Sequence, residues 1–567
     1  MHSVYTQTKA QESRSAIERL YIAMRHLFIR GSYKPMGVSG EALREAMMTL
    51  KPEIYGSIDD PERVELDGLL YIFQRLPLGI EECRFIRFIT REGYEHSNFP
   101  ILIPPKRRRN CYRIDEEQMF IEMTRGRSDI YDVLTHLTFM YIEAEKIRKN
   151  STDYRGRQKR EWMKLEEIVL QETSDDPIQM EVAYTYLSSI LNRSYHETVE
   201  ACKKFEDSEK VNNLFHIVYY LGKLSMDEAL EEIDREISFS TLLRERIGHH
   251  TFGEKWAQSI KFHLMALHLL DRPIHIISAN MHSVMNCVFS RTVFENSMPD
   301  ASLEDIAREL SISANAALRQ EVEQVAADHG MVSIPDSTGT NIPVQIIDMS
   351  TVDLDQIHPE IKINKAYIES QKPVIIVMDY AFGEQAYEAM DELLKPFKDE
   401  DEKEYPLKVE SIAIMGKAGI LCGDKGDIMI ADSHVFEGTA DNYPLENVLR
   451  LEDFAGQGLK VYQGSMITVL GTSLQNKDIL SYFHNSSWRA VGLEMEGAHY
   501  QKAIQAASKI RGSIHPDVQL MYAYYASDNP LISGQTLASG ALGLDGVKPT
   551  YLITKRILEV ILNPQNG

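Results

Sequence analysis

The chain has 567 residues, with 61 Lys and Arg against 84 Asp and Glu, a net charge of −23. At roughly 100–200 residues per domain this length predicts more than one buried core. Binding a nucleic-acid polymer through so acidic a surface is disfavoured, although one basic pocket can still take a small anion. The five cysteines (Cys83, Cys111, Cys202, Cys287, Cys422) form no CxxC pair, which suits a reducing compartment and gives no zinc or disulfide framework. No segment approaches the ~20 apolar residues that cross a bilayer, and residues 1–20 lack the apolar core of a signal peptide. A cytoplasmic protein without a membrane partner is expected.

Residues 1–240 read as helix after helix. Ile17, Leu20, Tyr21, Met24 and Leu27 recur at spacings of three and four, and the same period returns in Asp129–Ile147, Met180–Leu191 and Val211–Leu224. Strand signals are scarce there, apart from Phe99–Ile103. The one dense basic run, Pro104–Arg109, reads as a solvated loop or as a phosphate-binding patch.

The pattern changes after residue 240. A short apolar run, Arg272–Ser278, is followed by helical periods, the turn-rich loop Ile334–Asn341, and strands at Val344–Met349 and Pro373–Met378. His275 and His282 have no carboxylate or cysteine at ligand spacing, so core or loop histidines are expected and no metal site. Asn280 and His282, at a strand's C-terminal end, can line a second pocket or an interface. A helix is expected from Glu384 to about Leu394, and the acidic run Lys398–Glu404 reads as a solvated loop. Strands follow at Ser411–Met415, Asp427–Ala431, Met466–Leu470, Ala490–Leu493 and Leu520–Tyr525, with a closing helix over Thr550–Leu562. The expected fold is a mainly α-helical half (1–240), an α/β intermediate segment (241–370) and an α/β domain (371–567). No GxGxxG follows a strand and no GxxxxGK[ST] occurs, so no cofactor is implied.

Three segments of the last third carry chemistry. Glu494-Met495-Glu496 places two acids where a strand gives way to a helix; alone, this can be an acidic pair favoured by the helix dipole. Ser527-Asp528-Asn529-Pro530 follows an apolar strand, at the sheet edge where open α/β folds bind ligands, yet by itself it is also an ordinary turn. Gly416-Lys417-Ala418-Gly419, then Gly426-Asp427-Ile428, reads as a Gly-rich turn that lets backbone approach a ligand.

In this order the three segments resemble the nucleoside phosphorylase/nucleosidase superfamily, which includes AMP nucleosidase and methylthioadenosine/S-adenosylhomocysteine nucleosidase. Residues 527–531 with Gly534-Gln535 look more like the former. The resemblance covers roughly residues 370–567 and implies a nucleoside phosphorylase-like α/β domain acting on a purine nucleotide or nucleoside. It also implies Asp528 as the acid at N7 of the departing base, beside Ser527, Tyr524 and Tyr525. Glu496 would hold the ribose hydroxyls and oppose the oxocarbenium charge, and Met495 would pack on the ribose. Glu494 would either add to that field or support the strand end, with Gly416, Lys417 and Gly419 near the substrate. Family phosphorylases place arginine near the first Gly-rich loop, but here that loop reads Asp379-Tyr380-Ala381-Phe382-Gly383-Glu384. Hydrolysis is therefore favoured over phosphorolysis, with Glu384 matching the water-activating carboxylate and Asp379 its rival. A homo-oligomer is expected by the same resemblance. The alternatives are a regulatory or scaffold protein that binds nucleotide without turnover, and a nucleotide-depleting effector.

Overall fold

The computed structural model describes residues 8–170, 177–399, 401–439, 441–532 and 542–564. Gly534-Gln535 lies outside the described residues, as does one position of the acidic run, Glu400. The chain divides into two compact units: Met1–His249 with Ser473–Ile479, and His250–Thr472 with Leu480–Gly567.

The first unit is largely helical, and its helices follow the apolar spacings of the sequence. In Lys9–Arg30, residues Ile17, Leu20, Met24 and Leu27 are buried on one face, and a Thr8 capping box satisfies the first turn. The longest helix is Gly126–Ser151. The expectation of scarce strands is corrected by a six-stranded sheet: β1 (Ser32–Tyr33), β2 (Phe85–Ile89), β3 (Ile101–Leu102), β4 (Cys111–Arg113), β5 (Gln118–Glu122) and β6 (Glu236–Phe239), in the order β1-β6-β2-β5-β4-β3. These strands have two to five residues, too few for alternation to stand out from a helical background. The basic run is not a wholly solvated loop either. Arg107 makes a bidentate pair with Asp132 (2.8 and 2.7 Å), and buried Arg109 contacts Asp129 and Asp132 at 2.5 and 2.9 Å.

The second unit is built on a ten-stranded sheet: β7 (Ile274–Ser278), β8 (Met331–Ile334), β9 (Val344–Asp348), β10 (Val374–Met378), and, beyond the small hairpin β11 (Phe397–Lys398) and β12 (Glu404–Tyr405), β13 (Val409–Ile420), β14 (Ile428–Phe436), β15 (Asn442–Pro444), β16 (Val461–Thr468), β17 (Gly492–Glu494) and β18 (Gln519–Asp528). The two ends of the acidic run, Lys398 and Glu404, thus pair with each other in that hairpin. Strands from 241–370 and from 371–567 share one sheet, so the expected boundary at residue 370 runs through a single unit.

Both faces of this sheet are covered. In β10, Val374, Ile376 and Met378 join a core with the helices Thr251–Ala266, Gln385–Leu393 and Gly497–Gln505, while Ile375 and Val377 join a second core with Met281–Phe294, Leu303–Ser311 and Val547–Leu562. Burial on both sides is why the strand reads as a continuous apolar run. Strands β7, β10, β13 and β18 are mutually parallel through their pairings, so their C-terminal ends share one edge. β18 pairs with both β13 and β14, and β13-β17-β16-β14 complete a closed circuit of five strands with it.

Candidate active site

Two expectations about local structure change here. Gly416–Gly419 is not a turn but lies near the end of β13, held extended by pairing to β18 along its length and to β17 at Gly419. The register shifts between Ala418 and Gly419, the irregularity glycine permits in a strand. Likewise Ser527 and Asp528 do not follow β18 but end it. Gly419 is the shared reference, standing opposite Leu493 of β17 and Asp528 of β18. Register alone therefore brings the Glu494–Glu496 and Ser527–Asp528 segments to neighbouring strand ends.

Asp528 is buried, and its two oxygens differ. Oδ1 contacts the Ser527 hydroxyl, which also lies 3.1 Å from the Ala418 carbonyl. Oδ2 is buried with no hydrogen-bond partner among the described residues. Burial raises the carboxyl pKa above its ordinary value, against the opposing effects of Ser527 and of the Lys417 charge. A carboxyl that holds its proton more tightly than an ordinary aspartate and presents one unengaged oxygen is suited to donate that proton to a bound ligand.

Glu494 is organised differently. Its Oε1 accepts from Thr468 Oγ1 at 2.5 Å, and its Oε2 accepts the backbone amides of Glu496 (2.6 Å) and Gly497. Thr468 Oγ1 in turn accepts the Ala498 amide at 2.9 Å. These bonds satisfy the first donors of the helix Gly497–Gln505 and fix the bend that aims Glu496. Glu494 is thus a buried support for the turn. Burial nevertheless pushes its pKa up to about 7, with the Thr468 and amide bonds acting the other way. Between about pH 4.5 and 7 the unfolded chain has lost this proton while the folded chain retains it. Folding stability therefore falls as pH rises through that window, by roughly 3 kcal/mol at most. Urea unfolding at pH 5 and pH 8 checks this: the stability difference between wild type and Glu494→Gln should shrink at the higher pH, and a constant difference would place the titration elsewhere.

Glu496 is half-buried, and its Oε1 accepts the Gly383 amide at 2.9 Å. Gly383 has φ +56°, where a side chain would be strained, and it sits between β10 and the helix Gln385–Leu393. Glu384 caps that helix one residue on, so its backbone lies beside the Glu496 carboxylate; Asp379 stands at the end of β10 and accepts the Tyr380 amide at 2.9 Å. Met495 is half-buried between the two acids. A Cβ at Gly416 would press on the Tyr380 ring at 3.3 Å, so the glycine lets that ring lie against β13. A Cβ at Gly497 would overlap His434 and the Tyr524 hydroxyl, which are hydrogen-bonded to each other at 2.9 Å. Burial lowers the His434 pKa to about 3, so that pair is neutral.

Lys417 is exposed and, with Tyr525, lines a cavity of about 610 Å³ that also includes Asn280, His282 and Arg319. Asn280 and His282 therefore do line a pocket, while His275 is a buried histidine bonded to Ser411 Oγ at 2.7 Å. Thr468, His434 and Arg319 were not legible in the sequence. Thr468 and His434 act through partners distant along the chain, and only the Thr468–Glu494 pairing follows from strand register. Among the described residues one group offers metal-ligand atoms within 4.8 Å of one another, Glu81, Glu82 and His216 in the first unit. Its atoms are already engaged: His216 and Arg113 each lie 2.8 Å from Glu82, and Asn212 lies 2.6 Å from Glu81. No described helix is long and apolar enough to cross a membrane.

No curated protein matches the chain. Similar solved structures include the 5′-methylthioadenosine/S-adenosylhomocysteine nucleosidase of Campylobacter jejuni, at 11% identity and TM-score 0.30, over 51% of this chain and 98% of that one. Futalosine hydrolase of Helicobacter pylori has 13% identity and TM-score 0.30, over 51% and 97%. The nucleosidase of Colwellia psychrerythraea, solved with adenine, has 11% identity and TM-score 0.27, over 51% and 94%. The model of a family of unknown function, DUF6909, matches residues 41–298 and 307–563, nearly the whole chain across both units, and the chain belongs to that family.

Proposed function

We propose that the chain hydrolyses the N-glycosidic bond of a purine nucleotide or nucleoside and releases the free base. The observation that carries this reading is the buried, unengaged Oδ2 of Asp528 on a carboxyl whose pKa is raised by burial. In this reaction the ribosyl group develops oxocarbenium character while negative charge collects on the base. Asp528 donates its proton to N7, and the bond breaks toward a neutral leaving group. Glu496, aimed by the Gly383 amide and the Glu494-supported bend, receives the ribose hydroxyls and opposes the sugar's positive charge. Met495 packs on the ribose. Glu384, or Asp379 at the end of the neighbouring strand, takes the proton of the attacking water. All of these groups lie within residues 371–567.

The test is product analysis in phosphate-free, chelator-treated buffer with AMP, adenosine, methylthioadenosine and inosine. Free base with ribose or ribose 5-phosphate is expected. A sugar 1-phosphate formed only on adding phosphate would replace hydrolysis by phosphorolysis, and no base release from any of them would leave a binding protein. We also propose that the chain works as a homo-oligomer, so light scattering should give a mass at least twice the 64.8 kDa of one chain. A single-chain mass at every concentration would count against assembly.

A further inference from the structure

We propose that Gln385 is a positioning residue for Glu496, keeping the Gly383 amide on its carboxylate by fixing the Phe382–Gly383 turn. Gln385 opens the helix Gln385–Leu393 and is buried. Both ends of its side-chain amide meet backbone. Oε1 accepts the Phe382 amide at 3.0 Å, and Nε2 donates to the Thr340 carbonyl at 2.6 Å. A backbone N–H can only donate and a carbonyl can only accept, so these two partners set which way the Gln385 amide faces. The next amide along, that of Gly383, is the one that donates to Glu496 Oε1 at 2.9 Å.

Helix capping alone does not account for this residue. In a capping box, glutamate and glutamine serve equally to reach back to the amide three residues earlier, as Gln385 does to Phe382. A carboxylate, however, has no proton for the Thr340 carbonyl, and the neutral amide serves both partners.

That second partner stands on an organised loop. Asp336 Oδ1 accepts from the Thr338 amide (2.9 Å), the Thr338 and Thr340 hydroxyls (2.7 and 3.0 Å) and the Gly339 amide (3.1 Å), while Oδ2 accepts the Asn341 amide at 2.7 Å. Just beyond, the Trp256 indole N–H donates to the Ile342 carbonyl at 2.8 Å. Thr340 is thereby held on both sides, and Gln385 carries its position to the turn that meets Glu496. The hold on the turn stands on these bonds; its part in the reaction rests on the proposed role of Glu496 at the ribose.

Hydrogen exchange at pH 8, resolved to Phe382–Gly383 by overlapping peptides, and steady-state kinetics on the full chain test the proposal. Gln385→Glu keeps the acceptor for Phe382 but, ionised, has no donor for Thr340; Gln385→Met removes both bonds. Exchange at Gly383 should quicken about tenfold in both variants, the weight of one hydrogen bond. Wild-type exchange in a folded Gln385→Glu protein would reduce Gln385 to a helix cap and overturn the proposal, as would wild-type exchange in Gln385→Met. Gln385→Glu should also lower kcat/KM about tenfold with a rise in KM, and should add little in a Glu496→Gln background, because residues acting through one contact are not additive. Fully additive losses would overturn the proposal while leaving the hydrolase reading in place. A chain that cleaves no purine nucleoside or nucleotide would remove the hydrolase reading, and faster Gly383 exchange in the variants would still uphold the hold of Gln385 on the turn.

Discussion

Asp528→Asn is expected to lower base release by at least about two orders of magnitude, the usual weight of a positioned general acid, while the protein stays folded. Asparagine has the same shape and keeps an oxygen for the Ser527 contact. Its amide can hydrogen-bond N7 but cannot transfer a proton to it, so the loss should fall on kcat more than on KM. The wild-type enzyme should also lose activity on the alkaline side as the raised Asp528 pKa is passed, and this limb should vanish from the residual activity of the variant. Single-turnover release of adenine, read together with the thermal unfolding midpoint, separates chemistry from folding. Near-normal turnover by a folded variant would remove Asp528 from the role of acid.

The second large effect is expected at Glu496. Glu496→Gln retains an oxygen for the Gly383 amide, so the turn should survive, but it removes the negative charge that, in the proposed reaction, faces the developing oxocarbenium ion. The loss in kcat/KM should be about 10²–10³-fold, comparable to deleting one preorganised electrostatic contact. In the proposed reaction the same carboxylate meets the ribose in ground and transition states, so KM should rise as kcat falls. Unchanged steady-state constants would move the sugar contact to another residue.

The order Gly416–Gly419, Glu494–Glu496, Ser527–Asp528 is visible in the sequence because each segment occupies a strand end. Strand ends in α/β folds are marked by an apolar run that stops. What could not be read was which side of each stop a residue stands on. Asp528 looked like the start of a turn because Asn529-Pro530 follows it, yet pairing with β13 carries the strand through it. Gly416–Gly419 looked like a turn for its glycines, although the continuous ladder to β18, joined at Gly419 by β17, outweighs their low strand propensity. Glu494 and Glu496 are two residues apart and chemically identical in the sequence. Only the Thr468 hydroxyl and the Gly497 amide distinguish the buried support from its outward neighbour. In the first unit, Arg107 and Arg109 read as solvated because their partners, Asp129 and Asp132, come about twenty residues later on a helix face.

The closed circuit of five strands bears on how the site can be lost. Its members hydrogen-bond to neighbours on both flanks, so the strand that ends in Asp528 offers no frayed edge at which another chain could add or from which opening could start. Amide hydrogens along Ala523–Tyr525, where β18 is paired on both flanks, should then exchange mainly when the ring itself parts. Asp528, Glu496 and the Glu494-supported turn would be lost together in that event. A ligand held at this edge would slow exchange around the entire ring rather than only where it touches.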